Sequence, residues 1–169
     1  MKIDCITLFP EMFAPLEHSI IGRARKNSLI DFKTIFLRDF AINDYGQVDD
    51  APYGGEPGMV LRPEPLAQAI RSTGVRDNKG TVIYLTADGQ PLTHQIAKEL
   101  SKKEHLVLVC GHYKGIDERI RETEIDMEIS IGDFVVSGGE LPAMVLTDAV
   151  GRLLEGALGN KESGETDSF

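Results

Sequence analysis

The chain has 169 residues, 41% of them hydrophobic and 27% charged, the balance of one soluble globular domain with a substantial core. No window approaches the run of about 18 apolar residues that a bilayer span needs, and the opening MKIDCITLF, with Asp4 inside it, is no signal peptide. The net charge of −9 argues against broad nucleic-acid binding, which wants a basic face. An RNA partner would need a local basic patch, such as Arg23, Arg25 and Lys26, or a basic segment missing from this chain. Cys5 and Cys110 both lie in strand patterns, unlike a metal pair or a disulfide framework, and cytoplasm is the default compartment.

In chain order, residues 1–9 read as a buried strand. Pro10 then suits the first position of a helix, where its fixed φ and missing N–H cost nothing. Pro15 is expected to interrupt that helix, with a second short helix over 20–26 and a second strand over 29–37. Residues 38–62 show no periodicity, and so long a loop in a compact domain is functional or disordered. Within it PYGGEPGM holds three glycines and two prolines, which makes a shaped loop; a mobile surface excursion is the plainer alternative. Pro63 and Pro65 start a helix through Ser72, and Gly74 stops it. Residues 81–87 read as a strand that ends in a turn at Asp88-Gly89-Gln90. Pro91 then starts a helix with Leu92, Ile96 and Leu100 on one face. Two further buried strands, 106–110 and 128–131, enclose a short helix at 116–122. A third apolar run, 134–136, reaches Ser137-Gly138-Gly139, and a helix over 140–154 follows. That helix is apolar over more than one core-facing stripe, so a partner chain is expected on its other face. His18, His94 and His105 show no ligand spacing and read as surface residues.

Strands alternating with helices predict an α/β fold with a mostly parallel sheet flanked by helices. Three strand ends run into glycine: Gly111 and Gly115, then Gly132, then Gly138 and Gly139. Ligands in open α/β sheets sit beyond the carboxyl ends of strands, where glycine lets bare backbone approach them. Ordinary tight turns use glycine as well, and spacing alone leaves both readings open.

Longer blocks carry a resemblance that covers the whole chain. They are I-T-L-F-P at Ile6–Pro10, S-I-I-G-R-A at Ser19–Ala24, R-D-F at Arg38–Phe40 and V-D-D-x-P-Y-G-G-x-P-G-M at Val48–Met59. C-G-H-Y-K-G-I-D-E-R at Cys110–Arg119 and I-G-D-F-V-V-S-G-G-E-L at Ile131–Leu141 complete the set, and these two together are highly specific. The chain resembles the N-terminal catalytic domain of bacterial tRNA (guanine-N1)-methyltransferases, of the SPOUT class. It departs from the family pattern at Glu56, where another glycine is usual, at Ala87, where a proline is usual, and at Lys114, where a glutamate is usual.

The resemblance implies a deep trefoil knot in the C-terminal half, which periodicity could not suggest, since threaded connections are essentially absent from folds. It implies S-adenosylmethionine bent into a cleft of three loops. Leu85, Thr86, Ala87 and Gly89 belong to the first, and Gly111, His112, Tyr113 and Gly115 to the second. Ile131, Gly132, Phe134, Val136, Ser137, Gly138 and Gly139 belong to the third. It implies methylation of N1 of guanine 37 in tRNA by a homodimer with each active site at the interface. Asp167 would be the base that takes the N1 proton, and Arg152 the cation that meets charge on O6. Without the resemblance Arg152 reads as a solvated arginine and Asp167 as an aspartate of a polar tail. No metal-ligating residues are picked out, although the family implies a divalent ion such as magnesium. Residues 1–158 are then the methyltransferase domain and 159–169 the start of a flexible linker, with the tRNA-gripping C-terminal domain absent. Such a chain is expected to be weakly active or inactive alone. The competing class is a non-catalytic, dimerising RNA-accessory module of the same fold.

Overall fold

The computed structural model describes residues 1–52, 54 and 57–158; Tyr53, Gly55, Glu56 and the stretch holding Asp167 lie outside them. Five parallel strands form one sheet: β1 (Lys2–Thr7), β2 (Asp31–Phe36), β5 (Thr81–Pro91), β6 (His105–Cys110) and β7 (Met127–Ser130), in the order β2-β1-β6-β5-β7. A two-residue antiparallel pair, β3 (Asp49–Asp50) with β4 (Val60–Leu61), stands apart. The helices are α1 (Ser19–Lys26), α2 (Pro63–Ser72), α3 (His94–Leu100), α4 (Glu118–Glu124) and α5 (Glu140–Gly151).

Successive strand residues point to opposite faces, and both faces are apolar, as a parallel sheet covered on two sides requires. Ile3, Cys5, Ile83, Leu85, Leu106, Leu108 and Ile129 pack under α1, α3 and α5 through Ile21, Ala97, Leu100, Leu146 and Val150. Ile6, Val82, Tyr84, Val107 and Val109 face the other way, against Leu66 and Ile70 of α2 and Ile120 of α4. Central β6 is buried along its whole length. Cutting a buried leucine such as Leu108 to alanine there costs about 2–5 kcal/mol, by lost transfer energy and the cavity left behind.

Several local expectations change. Pro15 does not interrupt the first helix, because residues Pro10–Glu17 form a 3-10 helix that accommodates it; the break falls at His18, which is extended. The turn expected at Asp88-Gly89-Gln90 is strand: β5 continues to Pro91 and resumes pairing with β7 after a register shift between Leu85 and Gln90. Pro91 therefore closes a strand rather than opening a helix, and α3 starts later, capped by the Thr93 hydroxyl, which accepts from Ile96 N at 3.2 Å. The run 134–136 is not a strand but an exposed bend, with Phe134 55% and Val135 86% accessible. His105 is not on the surface. It is buried, with Nε2 2.9 Å from Asp4 Oδ2. Leu141 and Val145 on α5 remain exposed, the wide apolar face anticipated for that helix.

Candidate active site

Residues 84–87, in the middle of β5 where its ladder is interrupted, the loop after the carboxyl end of β6 and the segment 130–139 enclose a cleft of about 280 Å³. Glycine makes the close approach. The Gly139 N–H donates to Gly111 O at 2.8 Å, and a Cβ on Gly139 would lie 2.5 Å from Cys110 Cα, against backbone that cannot yield. Segment 130–139 thus returns from edge strand β7 across β5 and the end of β6. Strand β5 lies between β6 and β7, so the crevice sits where the chain steps over it.

The 111–115 loop is clamped from both sides. Lys114 N donates to Met59 O, and Leu61 N to Gly115 O, each at 3.0 Å, which ties the loop to β4. Tyr113 adopts φ 58°, rare for a side chain of its size. Burial, then the Asp49 carboxylate beside it, raises its phenol pKa; its hydroxyl also meets Arg38. The His112 ring stands between Phe9 and Tyr113, with centroids 5.1 and 5.2 Å away. Its Nδ1 is buried and has no partner among the described residues.

Behind the cleft, Glu140 is only 1% accessible. Its carboxylate accepts from Thr7 Oγ1 at 2.7 Å and occupies the first turn of α5, where the helix N-terminus favours negative charge. Cys110 ends β6 with Sγ 3.5 Å from Cys5 Sγ. Burial, then the Cys5 contact, pushes the Cys110 thiol up, so it stays protonated and is a poor nucleophile.

Apolar walls from Leu85, Ile131, Phe134 and Pro142 meet hydroxyls of Thr86, Ser130 and Ser137 and bare glycine backbone. Such a surface suits a flat apolar ring with hydrogen-bonding edges, as a nucleoside has. Among the described residues no three histidine, cysteine or carboxylate side chains are grouped to hold a metal ion, so no step below runs through one.

Comparison with known proteins decides the family. The model for the family described as "tRNA (Guanine-1)-methyltransferase TrmD" matches residues 1–169. The chain belongs to that family. Two relatives from Staphylococcus aureus, strains MRSA252 and JH9, are named tRNA (guanine-N(1)-)-methyltransferase; each is 53% identical over 170 residues, covering 100% of this chain and 69% of the relative. The crystal structure of tRNA (m1G37) methyltransferase from Aquifex aeolicus superimposes with a TM-score of 0.86 at 42% identity, covering 95% of this chain and 72% of that one.

In this TrmD-family chain the structure gathers most residues singled out from sequence. Leu85, Thr86, Ala87, Gly111, His112, Tyr113, Gly115, Ile131, Phe134, Val136, Ser137, Gly138 and Gly139 all line the one cleft. Gly89 and Gly132 do not. Gly89 packs on the Glu128–Ile129 backbone, where a Cβ would be 2.7 Å away, and Gly132 supplies a turn at φ 153°. Arg152 caps the C-terminus of α5 and lines a separate groove of about 720 Å³ with Leu16, Ile21, Met144 and Val145. Asp167 lies outside the described residues. Tyr84, Ser130, Val135 and Pro142 also line the cleft and were missed. Tyr84 had a signal, since it shares a sheet face with Val107 and Val109 and stands one residue before the loop. Lys114 lines the cleft too, but its side chain runs beside Gly58, where an added Cβ would lie 3.0 Å from Lys114 Cε.

Proposed function

We propose that this chain is the S-adenosylmethionine-dependent part of an enzyme that methylates N1 of guanine 37 in tRNA. The observation that carries the reading is the glycine-built cleft at the carboxyl edge, in a chain whose whole length matches the TrmD family. The lining suits the cofactor: at Gly138 and Gly139 bare backbone packs against His112 and Cys110 with no room for a Cβ, and His112 Nδ1 is buried without a partner among the described residues. Bound there, S-adenosylmethionine supplies an electrophilic methyl group. The chain supplies position and charge. Guanine N1 carries a proton in the neutral base, so the Asp167 carboxylate takes it while Arg152 meets the charge growing on O6.

The reading includes a homodimer. The exposed Leu141 and Val145 of α5 and the apolar groove around Arg152 support it, because a second copy would cover them and bring Arg152 to an interface. It further includes a trefoil-knotted crossing of the segment after β7, a methyltransferase domain over 1–158, and a linker from 159 onward. A cytoplasmic site of action accords with a tRNA substrate; no helix among the described residues is long and apolar enough to cross a membrane.

The test is methyl transfer to tRNA followed by mass spectrometry of the nucleosides. A full-length version should yield N1-methylguanosine, and the 169-residue chain far less. Asp167→Asn in the full-length version should lower single-turnover rates by about 10²–10⁴-fold with cofactor affinity nearly intact. Wild-type rates for Asp167→Asn would remove it from the mechanism. A non-catalytic accessory module, to which the basic Lys114 on the cleft lends support, would bind no S-adenosylmethionine.

A further inference from the structure

We propose that Arg121 is a positioning residue for the cofactor cleft, holding Thr86 and Tyr84 in its wall by tying β7 to the irregular part of β5. The proposal deepens the functional reading above and rests on it. Residues 86–89 fall inside the register shift between β5 and β7, so no ladder register fixes them. Side chains do that work instead. The Arg121 fork binds Glu128 of β7 at two points, Nε to Oε1 at 2.8 Å and Nη2 to Oε2 at 2.5 Å. The same Nη2 donates to Asp88 Oδ2 at 3.1 Å. Asp88 in turn accepts from the Thr86 hydroxyl, which also meets the hydroxyl of Tyr84. Arg121 Cζ stands 5.8 Å from the centre of the Tyr84 ring, closing the circuit from the other side.

Both ends of this circuit reach the cleft. Thr86 lines it, and the Tyr84 hydroxyl lies 2.9 Å from where a Gly111 Cβ would be and 3.2 Å from that of Gly115. An isolated surface ion pair contributes little, but a bidentate guanidinium shared among several partners fixes geometry. The charges agree with the role. The Thr86 hydrogen bond, and then Arg121, hold the Asp88 carboxyl below its ordinary range, so it stays a carboxylate acceptor. Losing Arg121 would untie Asp88, and with it the Thr86 hydroxyl that Asp88 accepts from, and leave three carboxylates, Asp88, Glu118 and Glu128, without their shared cation.

The experiment is calorimetric titration of the chain with S-adenosylmethionine at a temperature where every variant is folded. Arg121→Gln should weaken binding about tenfold, Asp88→Asn by a similar factor, and the double variant by no more than the worse single one. Arg121→Lys should recover only part of the loss, because an ammonium cannot make the fork. Arg76→Gln is the control: it breaks a two-point pair with Asp126, at 2.7 and 2.8 Å, on the opposite edge of the sheet, and should leave affinity unchanged. Unchanged affinity in Arg121→Gln, or an equal loss in Arg76→Gln, overturns the proposal. If Arg121→Gln fails to fold, Asp88→Asn decides, and unchanged affinity there overturns it too. A wild-type chain that binds no S-adenosylmethionine overturns the functional reading and this proposal together; wild-type binding with an indifferent Arg121→Gln overturns this proposal alone.

Discussion

The two edges of the sheet are made from the same strands and treated in opposite ways. At the amino edge, Asp4 Oδ2 accepts from His105 Nε2 at 2.9 Å and pairs with Lys2 Nζ at 2.7 Å. The Asp126 carboxylate takes the Val82 N–H at 2.8 Å together with Arg76, so strand ends and charges satisfy one another. At the carboxyl edge, glycines hold Cys110, Tyr84 and His112 so close that a Cβ would collide with them, and apolar Phe134 and Val135 face outward. An edge filled with paired charges holds strands together; an edge stripped of side chains leaves room for a ligand. One orphaned atom qualifies the contrast, since His105 Nδ1 at the amino edge also lacks a partner among the described residues.

Substitutions that separate stability from binding would sharpen or break this contrast. The largest effect is expected for Asp4→Ala. It takes the acceptor from a buried histidine and a half-buried lysine, and leaving a buried donor unsatisfied costs about 1–3 kcal/mol. Urea unfolding should register that loss while calorimetry finds cofactor affinity unchanged; a loss confined to affinity would erase the distinction between edges. Next comes Gly138→Val. Its Cβ would collide with Glu140 Oε2 and lie 2.5 Å from His112 Nδ1, so the strain falls on the side chains that shape the cleft. Overpacking of roughly 1–3 kcal/mol should weaken cofactor binding about 10–100-fold. Full affinity in a folded Gly138→Val variant would mean that the cofactor binds elsewhere.

The smallest effect concerns acid. Asp88 is held below its ordinary pKa by the Thr86 hydrogen bond, and Asp117 by Arg119. A carboxyl whose folded pKa is depressed adds stability that is present above the unfolded value, about 3.9, and lost as pH falls through the folded one. Urea midpoints should therefore drop between pH 5 and pH 3, and Asp88→Asn should flatten part of that drop. Asp88 is largely solvated, and Asp117, though mostly covered, pairs with an exposed arginine, so the change is small. A midpoint insensitive to Asp88→Asn across that range would contradict the assignment.

Much of the layout was legible because it is written locally. Continuous apolar runs at 82–85 and 106–110 predicted buried strands, and the glycines at 111, 138 and 139 pointed to the carboxyl edge. What escaped depends on partners distant in the chain. Asp88-Gly89-Gln90 carries turn chemistry, yet the chain stays extended there: pairing with β7 resumes at Gln90 and Pro91, and Gly89 lets the two backbones pass. His105 looked like surface because its partner, Asp4, is 101 residues away. Phe134 and Val135 looked like strand because they are apolar, but no neighbouring strand reaches them. Tyr84 looked like core and is core, except for the hydroxyl that reaches the cleft beside Gly111.

Hydrogen exchange with and without S-adenosylmethionine tests the central claim most directly, because it reports where the ligand sits along the chain. Added protection is expected at residues 85–88, 111–115 and 131–139, with none at 1–5, 75–81 or 101–106. Protection confined to the amino edge, or to the α3–α5 groove that holds Arg152, would contradict it.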